Sequence, residues 1–372
     1  MKVMFWISVA VITYTYVGYP LWLYLRSLWF PRLVHSAPFY PTVSVIMAVR
    51  NEAEILQFKL QNILRLNYPA DRLEIIVVSD GSTDATNQIL STCSDDSLRL
   101  IICSRHQGKA SALDQAIREA RGEIVVFTDA RQMIEPEALK YLVSNFADSK
   151  VGGASGELIL EEPVGSNSLE GVGFYWRLEK KIRQWESATG SVVGATGAFY
   201  AVRRHLLVIL PNELILDDVY LPLHVVRQNY RMVFESRAVA REPLQTSAPQ
   251  EFRRKVRTLT GNYQLLQVAP WLLTRSNPIR FQFVSHKLLR LLAPFALAGA
   301  FFIALLVPET VYRLAAVLQI VLYGSGALTL LQPRLRFLGP LPDAAFAFIL
   351  MNTAAVLALI KFLTGQKPVW VR

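Results

Sequence analysis

The chain has 372 residues, of which 52% are hydrophobic and 18% charged, with a formal net charge of +10 at pH 7. The apolar residues are clustered, which favours a domain flanked by membrane spans over a single large soluble domain. The basic residues are densest beside the apolar segments, so the charge indicates anionic lipid and a phosphate-bearing ligand and argues against nucleic acid. The two cysteines, Cys93 and Cys103, lack metal-type or redox-type spacing and indicate a reduced compartment without a disulfide framework.

The first apolar segment covers residues 4–30, with Arg26 as its only charge. A transmembrane helix needs about 20 residues, so this segment is long enough to cross a bilayer. A cleaved signal peptide is disfavoured, because the apolar run is too long and Lys2 is the only charge before it. We therefore predict an N-terminal transmembrane helix within residues 1–36.

The middle of the chain, from about Pro41 to Pro270, alternates short apolar runs with amphipathic segments. Such alternation predicts a mostly parallel sheet covered by helices on both faces. Ligands of such sheets bind beyond the carboxyl ends of the strands. The predicted strands are 42–49, 73–80, 98–103 and 123–129, and the predicted helices are 52–66, 84–90, 109–121 and 136–146.

The sequence after Pro270 is apolar again, and the length rule predicts three further spans near 287–307, 312–331 and 342–363. The segment before them mixes basic residues with Leu, Trp and Phe, as in a helix that lies on a membrane surface. We therefore divide the chain into an N-terminal helix, an α/β domain, an interfacial segment and a membrane region. Their predicted bounds are 1–36, 37–250, 251–284 and 285–372.

The orientation of the C-terminal spans is ambiguous. If the α/β domain is cytoplasmic, Arg334 and Arg336 also lie inside, as the positive-inside tendency expects. Lys367 and Arg372 then lie outside, against that tendency. Either one span is re-entrant or the tendency fails at this end.

Carboxylates follow three of the predicted strands. Glu52 either contacts a nucleoside or is an ordinary acid at a helix N-terminus, and both interpretations stay open. Asp80 ends a buried strand where a ligand would bind, and helix capping does not account for it. Asp129 occupies a position from which a carboxylate can hold a divalent cation, although one acid alone is weak evidence.

Two further pairs of residues are candidates for the same site. Asp217 and Asp218 are adjacent, so we expect only one of them to reach a shared site, while the other complements a helix dipole. Arg254 and Arg257 are three residues apart and therefore neighbours on one helix face, where they can bind a phosphate. The alternative is a lipid-facing basic stripe. We expect His106 to be a solvated loop residue and Trp176 to serve in packing.

Seven segments, taken together and in order, resemble the inverting family 2 glycosyltransferases, the group that includes cellulose, hyaluronan and poly-N-acetylglucosamine synthases. Each segment alone is weak, but their order over about residues 40–265, between apolar flanks, is specific. The segments are Val49–Glu52, Val78–Asp84, Gly108–Ala110, Thr128–Ala130, Gly194–Ala198, Leu216–Asp218 and Arg254–Thr258.

This resemblance implies a GT-A-like, Rossmann-like nucleotide-sugar-binding domain with a mixed, mostly parallel sheet, flanked by transmembrane helices. It also implies a UDP-sugar donor, with Asp129 as the first acid of the family's Asp-x-Asp metal site and Mg²⁺ or Mn²⁺ as the cofactor. The implied donor-binding residues are Glu52, Asp80, Lys109, Asp129, Arg254 and Arg257.

The same resemblance assigns the acceptor side of the reaction. Asp218, with Asp217 beside it, corresponds to the catalytic base that takes the proton of the acceptor hydroxyl. Gly194, Thr196 and Gly197 are expected to border the acceptor. The acceptor itself is expected to be a growing polysaccharide or a lipid-linked molecule.

Two departures from the family pattern matter. Arg131 replaces the second acid of the metal motif, so either Asp129 holds the cation with the diphosphate, or Arg131 supplies part of the metal's charge. Arg254 and Thr258 stand where the family has the Gln and Trp of Gln-x-x-Arg-Trp. The missing Trp puts polymer synthesis and translocation in doubt.

The predicted function is inverting transfer from a UDP-sugar to an acceptor hydroxyl at the cytoplasmic face of the cell membrane. A second hypothesis is a single-addition enzyme that glycosylates a lipid. A third, from another class, is a catalytically inactive nucleotide-sugar-binding subunit of a synthesis complex. The sequence leaves open the sugar, the linkage, the number of additions, and assembly with a second copy or with synthase partners.

Overall fold

The structure is a computed structural model that describes residues 1–93, 95–161, 170–243, 248–331 and 341–366. It has an α/β domain in the middle of the chain and apolar helices before and after that domain. The orientation argument from Arg334, Arg336, Lys367 and Arg372 concerns residues that lie outside the described ranges.

The α/β domain is built on an eight-stranded sheet with the strand order β3-β2-β1-β4-β7-β6-β8-β5. Strands β1 to β4 are parallel, β7 runs antiparallel to β4 and β6, and β6 pairs in parallel with β8. The strands are β1 (Val43–Val49), β2 (Leu73–Asp80), β3 (Leu98–Cys103), β4 (Ile124–Thr128), β5 (Met133–Ile134), β6 (Val151–Glu161), β7 (Phe199–Arg203) and β8 (Arg231–Pro243).

Helices connect these strands and flank the domain. The predicted helices are present within a few residues of their expected bounds. The helices are α1 (Lys2–Trp29), α2 (Ala53–Leu64), α3 (Thr86–Thr92), α4 (Lys109–Glu119), α5 (Ala138–Ser144), α6 (Glu170–Thr189), α7 (Asp217–Arg227), α8 (Ala248–Val268), α9 (Arg280–Leu306), α10 (Thr310–Leu331) and α11 (Leu341–Leu363).

Both faces of the sheet are buried, which explains why β1 is a continuous apolar run. Every residue of β1 is buried. Ile46 and Ala48 pack into the core on one face, and Val45 and Met47 pack into the core on the other. A strand covered on both sides gains from apolar residues at every position.

The strand order places the ligand crevice between β1 and β4. The chain leaves β1 towards β2 and β3 on one side, and β4 lies on the other side of β1. Open sheets bind ligands where the order reverses in this way, outside the carboxyl ends of the strands. Residues that follow β1 and β4 therefore face the crevice, whereas β2 ends one strand away.

Within the described ranges, four helices are long and apolar enough to cross a membrane: α1, α9 and the segments Thr310–Leu328 and Pro342–Leu363 of α10 and α11. The α/β domain packs against them through two helices. Ile182 of α6 is buried with Tyr19 and Leu23 of α1. Val256 of α8 is buried with Ala354 of α11.

Candidate active site

A cavity of about 370 Å³ lies at the carboxyl ends of β1 and β4 and extends to α9 and α11. Glu52, Lys109 and Asp129 line it on the sheet side, and Asp217 and Asp218 line it beside them. The structure therefore brings together most of the residues predicted from the sequence.

Lys109 links two of these acids. It is the first residue of α4, and its Nζ lies 2.9 Å from Oδ1 of Asp129 and 3.4 Å from Oδ1 of Asp217. Burial alone would lower the pKa of Lys109, but the charges of Asp129 and Asp217 together outweigh it and raise the pKa. The ammonium is therefore a fixed positive charge between the segment after β4 and the start of α7.

Asp217 and Asp218 both line the cavity, which differs from the expectation that only one would reach it. They open α7, and their side chains have different partners. Asp217 is buried, pairs with Lys109, and accepts a hydrogen bond of 3.3 Å from the hydroxyl of Tyr200. Successive side chains of a helix can share one cavity when the cavity wraps around the helix N-terminus.

Asp218 is the acid available for chemistry. No described residue gives its carboxylate a hydrogen bond or ion pair, and burial together with the charge of Asp217 raises its pKa to about 6, against the opposing charges of Lys109 and Lys287. A carboxylate with a pKa near the working pH is suited to accept a proton.

Arg131, which stands in place of the second motif acid, faces the same cavity as Glu52. Its Nε lies 3.4 Å from Oε1 of Glu52. The departure from the family pattern thus places an Arg–Glu pair between the loop after β1 and the loop after β4.

Asp80 lies outside the lining of this cavity, and its contact with the donor stays a prediction. Its side chain is buried, and its oxygens accept hydrogen bonds from the backbone N–H groups of Gln107 and Gly108, at 2.7 and 2.8 Å. His106, expected to be solvated, has its Nδ1 2.7 Å from Oδ2 of Asp80. Asp80 therefore anchors the loop before Lys109.

Gly81 makes this anchoring sterically feasible. A Cβ at this position would lie 2.4 Å from the backbone nitrogen of His106, and the residue has a φ of +60°. Only glycine tolerates both the close approach and the left-handed conformation.

The predicted acceptor residues divide into two groups. Thr196 and Gly197 line the cavity, whereas Gly194 lies outside its lining and packs against Val219. A Cβ on Gly197 would stand 3.0 Å from Oδ2 of Asp218. Gly197 therefore leaves room for the carboxylate and for whatever approaches it.

The two predicted arginines of α8 face the cavity and not a lipid surface. Arg254, Lys255 and Arg257 all line it. Arg254 lies 3.9 Å from Glu242, measured from Nη2 to Oε2. Trp176, expected to serve in packing, also lines the cavity and lies under the Lys255 ammonium at 4.6 Å from its ring centroid.

Sequence reasoning missed Lys59, whose ammonium fixes the segment around Asp129 through hydrogen bonds. Lys59 is fully buried, and its Nζ donates to Oγ1 of Thr128 at 2.9 Å and to the carbonyl of Gln132 at 2.5 Å. Burial lowers its pKa to about 7, although the charge of Asp129 opposes this shift. A lysine inside an otherwise amphipathic helix gave no sequence signal of burial.

A buried ionic cluster at the junction of α6 with α1 and α9 was also missed. His286 has Nδ1 2.7 Å from Glu186 and Nε2 3.1 Å from Glu179. Arg290 also pairs with Glu179, and the Tyr19 hydroxyl donates to Glu186 at 2.8 Å. The cations hold the pKa of Glu179 well below its usual value, even though burial acts in the other direction. The residues are far apart in sequence, so no spacing could have revealed them.

The cavity residues fit one divalent cation shared with a diphosphate. Among the described residues, no group of three His, Cys, Asp or Glu side chains could hold a metal ion by itself. Asp129 faces the cavity, with its side chain 37% exposed. Mg²⁺ typically takes one or two carboxylates, with the remaining ligands from phosphates and water.

The α/β domain is similar in sequence to a known protein family. The Glycosyl transferase family 2 profile matches residues 44–208. The probable glycosyltransferase YdaM of Bacillus subtilis is 27% identical over 236 residues, and the poly-beta-1,6-N-acetyl-D-glucosamine synthase of Staphylococcus aureus (strain COL) is 24% identical over 229 residues. Both alignments cover 60% of this chain, and the chain spans 55% of the length of each relative.

A solved structure resembles nearly the whole chain. It is a mannosyltransferase from Pyrobaculum calidifontis in complex with GDP-Man and Mn²⁺. The likeness has a TM-score of 0.72 at 26% identity and covers 98% of this chain and 99% of that protein. The predicted GT-A-like fold with flanking apolar helices is thereby confirmed.

Proposed function

We propose that this chain, which matches the Glycosyl transferase family 2 profile over residues 44–208, transfers a sugar from a nucleotide-sugar donor to an acceptor hydroxyl at a membrane. The observation that carries the proposal is the single cavity that joins Lys109, Asp129 and Asp218 to α9 and α11. Donor-binding groups, a free carboxylate and helices long enough to span a bilayer meet there.

The donor lies on the sheet side of the cavity in this proposal. Lys109 and the arginines of α8 supply positive charge where the diphosphate leaves. Asp129 would hold a divalent cation, which when bound would supply positive charge to the diphosphate leaving group. Glu52 contacts the nucleoside, and Asp80 positions the loop that presents Lys109.

The preferred donor is a UDP-sugar, as the sequence resemblance implies. GDP-mannose is the second candidate, because the similar structure from Pyrobaculum contains GDP-Man.

Asp218 acts as the general base in a single displacement. Its carboxylate takes the proton of the acceptor hydroxyl, whose oxygen then forms the new bond to the anomeric carbon. The bond from that carbon to the diphosphate oxygen breaks, and the configuration inverts. Asp217 contributes indirectly, since its charge fixes Lys109 and raises the pKa of Asp218.

The acceptor reaches Asp218 from the side of α9 and α11, with the α/β domain at the cytoplasmic face. This route supports a polysaccharide or lipid-linked acceptor held close to the bilayer. A missing Trp after Arg257 and the small cavity favour a single addition over processive synthesis.

The decisive experiment is nucleotide release by detergent-purified protein with a panel of UDP- and GDP-sugars, each with Mg²⁺, Mn²⁺ or EDTA. We expect metal-dependent release with one donor, and none after Asp218→Asn. Nucleotide binding without release from any donor, even with membrane lipid extracts as acceptor, would contradict an enzyme and support the inactive-subunit hypothesis.

A further inference from the structure

The membrane-side end of the cavity has features that the donor does not use. It is lined by Tyr16 of α1 and by Met351, Asn352 and Ala355 of α11. The Tyr16 hydroxyl donates to Asn352 at 3.3 Å, so this polar pair is already satisfied. The wall is therefore neutral and partly apolar, and it lies on helices that can span a bilayer.

Two cations, Lys287 and Arg183, line the same cavity as this wall and Asp218. Lys287 projects from α9 into the cavity, and its ammonium has no hydrogen bond or ion pair with the part of the chain that the structure describes. Arg183 of α6 also lines the cavity, and its guanidinium donates to Oγ1 of Thr196 but pairs with no described carboxylate.

The neighbouring acids have closer partners than these two cations. Glu179 is engaged by His286 and Arg290, and Glu186 accepts from Tyr19 and His286. Both carboxylates act on Lys287 electrostatically, but neither forms a salt bridge with Lys287 or Arg183. Lys287 and Arg183 are half-buried, so an anionic ligand can reach them and form the salt bridges that these carboxylates do not.

Given the proposed transferase function, we propose that Lys287 and Arg183 form a subsite for the phosphate of a lipid-linked acceptor. The lipid chain passes towards the wall formed by α1 and α11, and the acceptor sugar extends to Asp218. Lys287 lies near enough to Asp218 for its charge to act on that carboxylate, which places the subsite next to the reacting hydroxyl. Arg and Lys are the residues that bind phosphate oxygens in proteins.

A lipid phosphate is favoured over free phosphate because of the surroundings. Free phosphate needs no apolar wall, whereas Met351 and Ala355 offer one in the same cavity as the cations. The donor diphosphate is assigned elsewhere, since Lys109 and Asp129 lie at the sheet end of the same cavity.

Binding can be measured by calorimetry on the full chain in an uncharged polyoxyethylene detergent, with dodecyl phosphate, dodecanol and inorganic phosphate as probes. We expect dodecyl phosphate to bind in preference to the other two. Lys287→Gln should weaken that binding about ten-fold, the usual scale for one charged hydrogen bond. Lys287→Arg should retain it, and Lys361→Gln, an exposed lysine of α11, is the matched control.

Two results would overturn the inference. Equal affinity for dodecyl phosphate in the wild type and in Lys287→Gln would remove Lys287 from the subsite, provided that both proteins elute as folded species. Inorganic phosphate binding as tightly as dodecyl phosphate would identify a site for free phosphate. UDP and GDP affinities measured in parallel report on the donor side, so a loss confined to these nucleotides would assign Lys287 to the donor. Dodecyl phosphate binding without any sugar transfer would contradict the proposed function while leaving the subsite intact.

Discussion

At the scale of single residues, Asp217 and Asp218 have identical side chains but different surroundings. Asp217 is tied to Lys109 and Tyr200, whereas Asp218 has no such partner among the described residues. The resemblance to the family assigned the base to Asp218, but the residues alone did not show how the surroundings of the two acids differ. Assignment depends on Tyr200 and Lys109, which only the fold brings into contact.

The first prediction concerns Asp218 as the base. Asp218→Asn should lower sugar transfer by about 10²–10⁴-fold, the usual contribution of a general base. Nucleotide affinity, measured by calorimetry, should change little, because Asp218 does not touch the donor phosphates in our proposal. Asp71→Asn, at an exposed turn, is the control. Transfer at the wild-type rate by Asp218→Asn would eliminate this residue as the base.

The second prediction concerns pH. Asp218 must be ionised to accept a proton, so kcat/KM should rise with pH up to about 6 and level off above, given a pKa of about 6. Asp217→Asn removes a negative charge that raises this pKa, so the rise should move to lower pH. The measurement is the pH profile of transfer for both proteins, and an unmoved profile would speak against electrostatic coupling of the pair.

The third prediction tests the space beside Asp218. Gly197→Ala places a Cβ 3.0 Å from Oδ2 of Asp218, so the carboxylate must shift and transfer should fall several-fold. Gly190→Ala is the matched control, because a Cβ at that position meets nothing within 4 Å. Equal transfer rates for the two variants would mean that the carboxylate moves without cost.

At the scale of elements, strands β1 to β4 and their helices were predictable, because apolar runs bounded by polar strand ends repeat in order. Strands β6 to β8 were not. β6 contains Gly152, Gly153 and Gly156, and β8 carries five charged residues, so neither resembles a buried strand in sequence. Their pairing depends on long-range partners, and local pattern does not encode such partners.

The fourth prediction belongs to helix α2 and its buried Lys59. The pKa of this lysine is lowered to about 7 in the folded state, so between pH 7 and about 10.5 the unfolded state binds more protons. The charged lysine therefore lowers the free energy of unfolding most below pH 7. This destabilisation decreases as the pH rises from 7 to about 10.5. In thermal unfolding, the melting temperature of Lys59→Met should exceed that of the wild type by more at pH 6 than at pH 10.

The control for this experiment is Lys150→Met, at an exposed lysine. A stability difference between Lys59→Met and the wild type that stays constant from pH 6 to pH 10 would contradict the lowered pKa. Transfer should also weaken in Lys59→Met, since Thr128 and Gln132 lose the ammonium that fixes the segment around Asp129.

At the scale of the whole molecule, one contact shows which ends of α1 and α9 lie together. Lys2 at the start of α1 pairs with Glu309, between α9 and α10, at 2.7 Å. Both residues lie at the ends of α1 and α9 that are remote from the α/β domain. Hydropathy predicted the spans, but the pairing of their ends required the folded structure.

The fifth prediction follows from this contact. If the α/β domain is cytoplasmic, Glu309→Cys should react with a membrane-impermeant thiol reagent in intact cells. The native Cys93 and Cys103 should react only after the cells are opened. Labelling of Glu309→Cys only after lysis would reverse the proposed orientation.

The cavity that opens from Asp218 towards α9 and α11 also has a kinetic consequence. If the acceptor is anchored in the bilayer, as proposed, it reaches the protein by lateral diffusion, so its effective concentration is its mole fraction among the lipids. Adding inert lipid at constant total acceptor should therefore slow the reaction. The dependence of the rate on the donor should still follow the donor's concentration in water. The enzyme would obey surface-dilution kinetics for one substrate and bulk kinetics for the other.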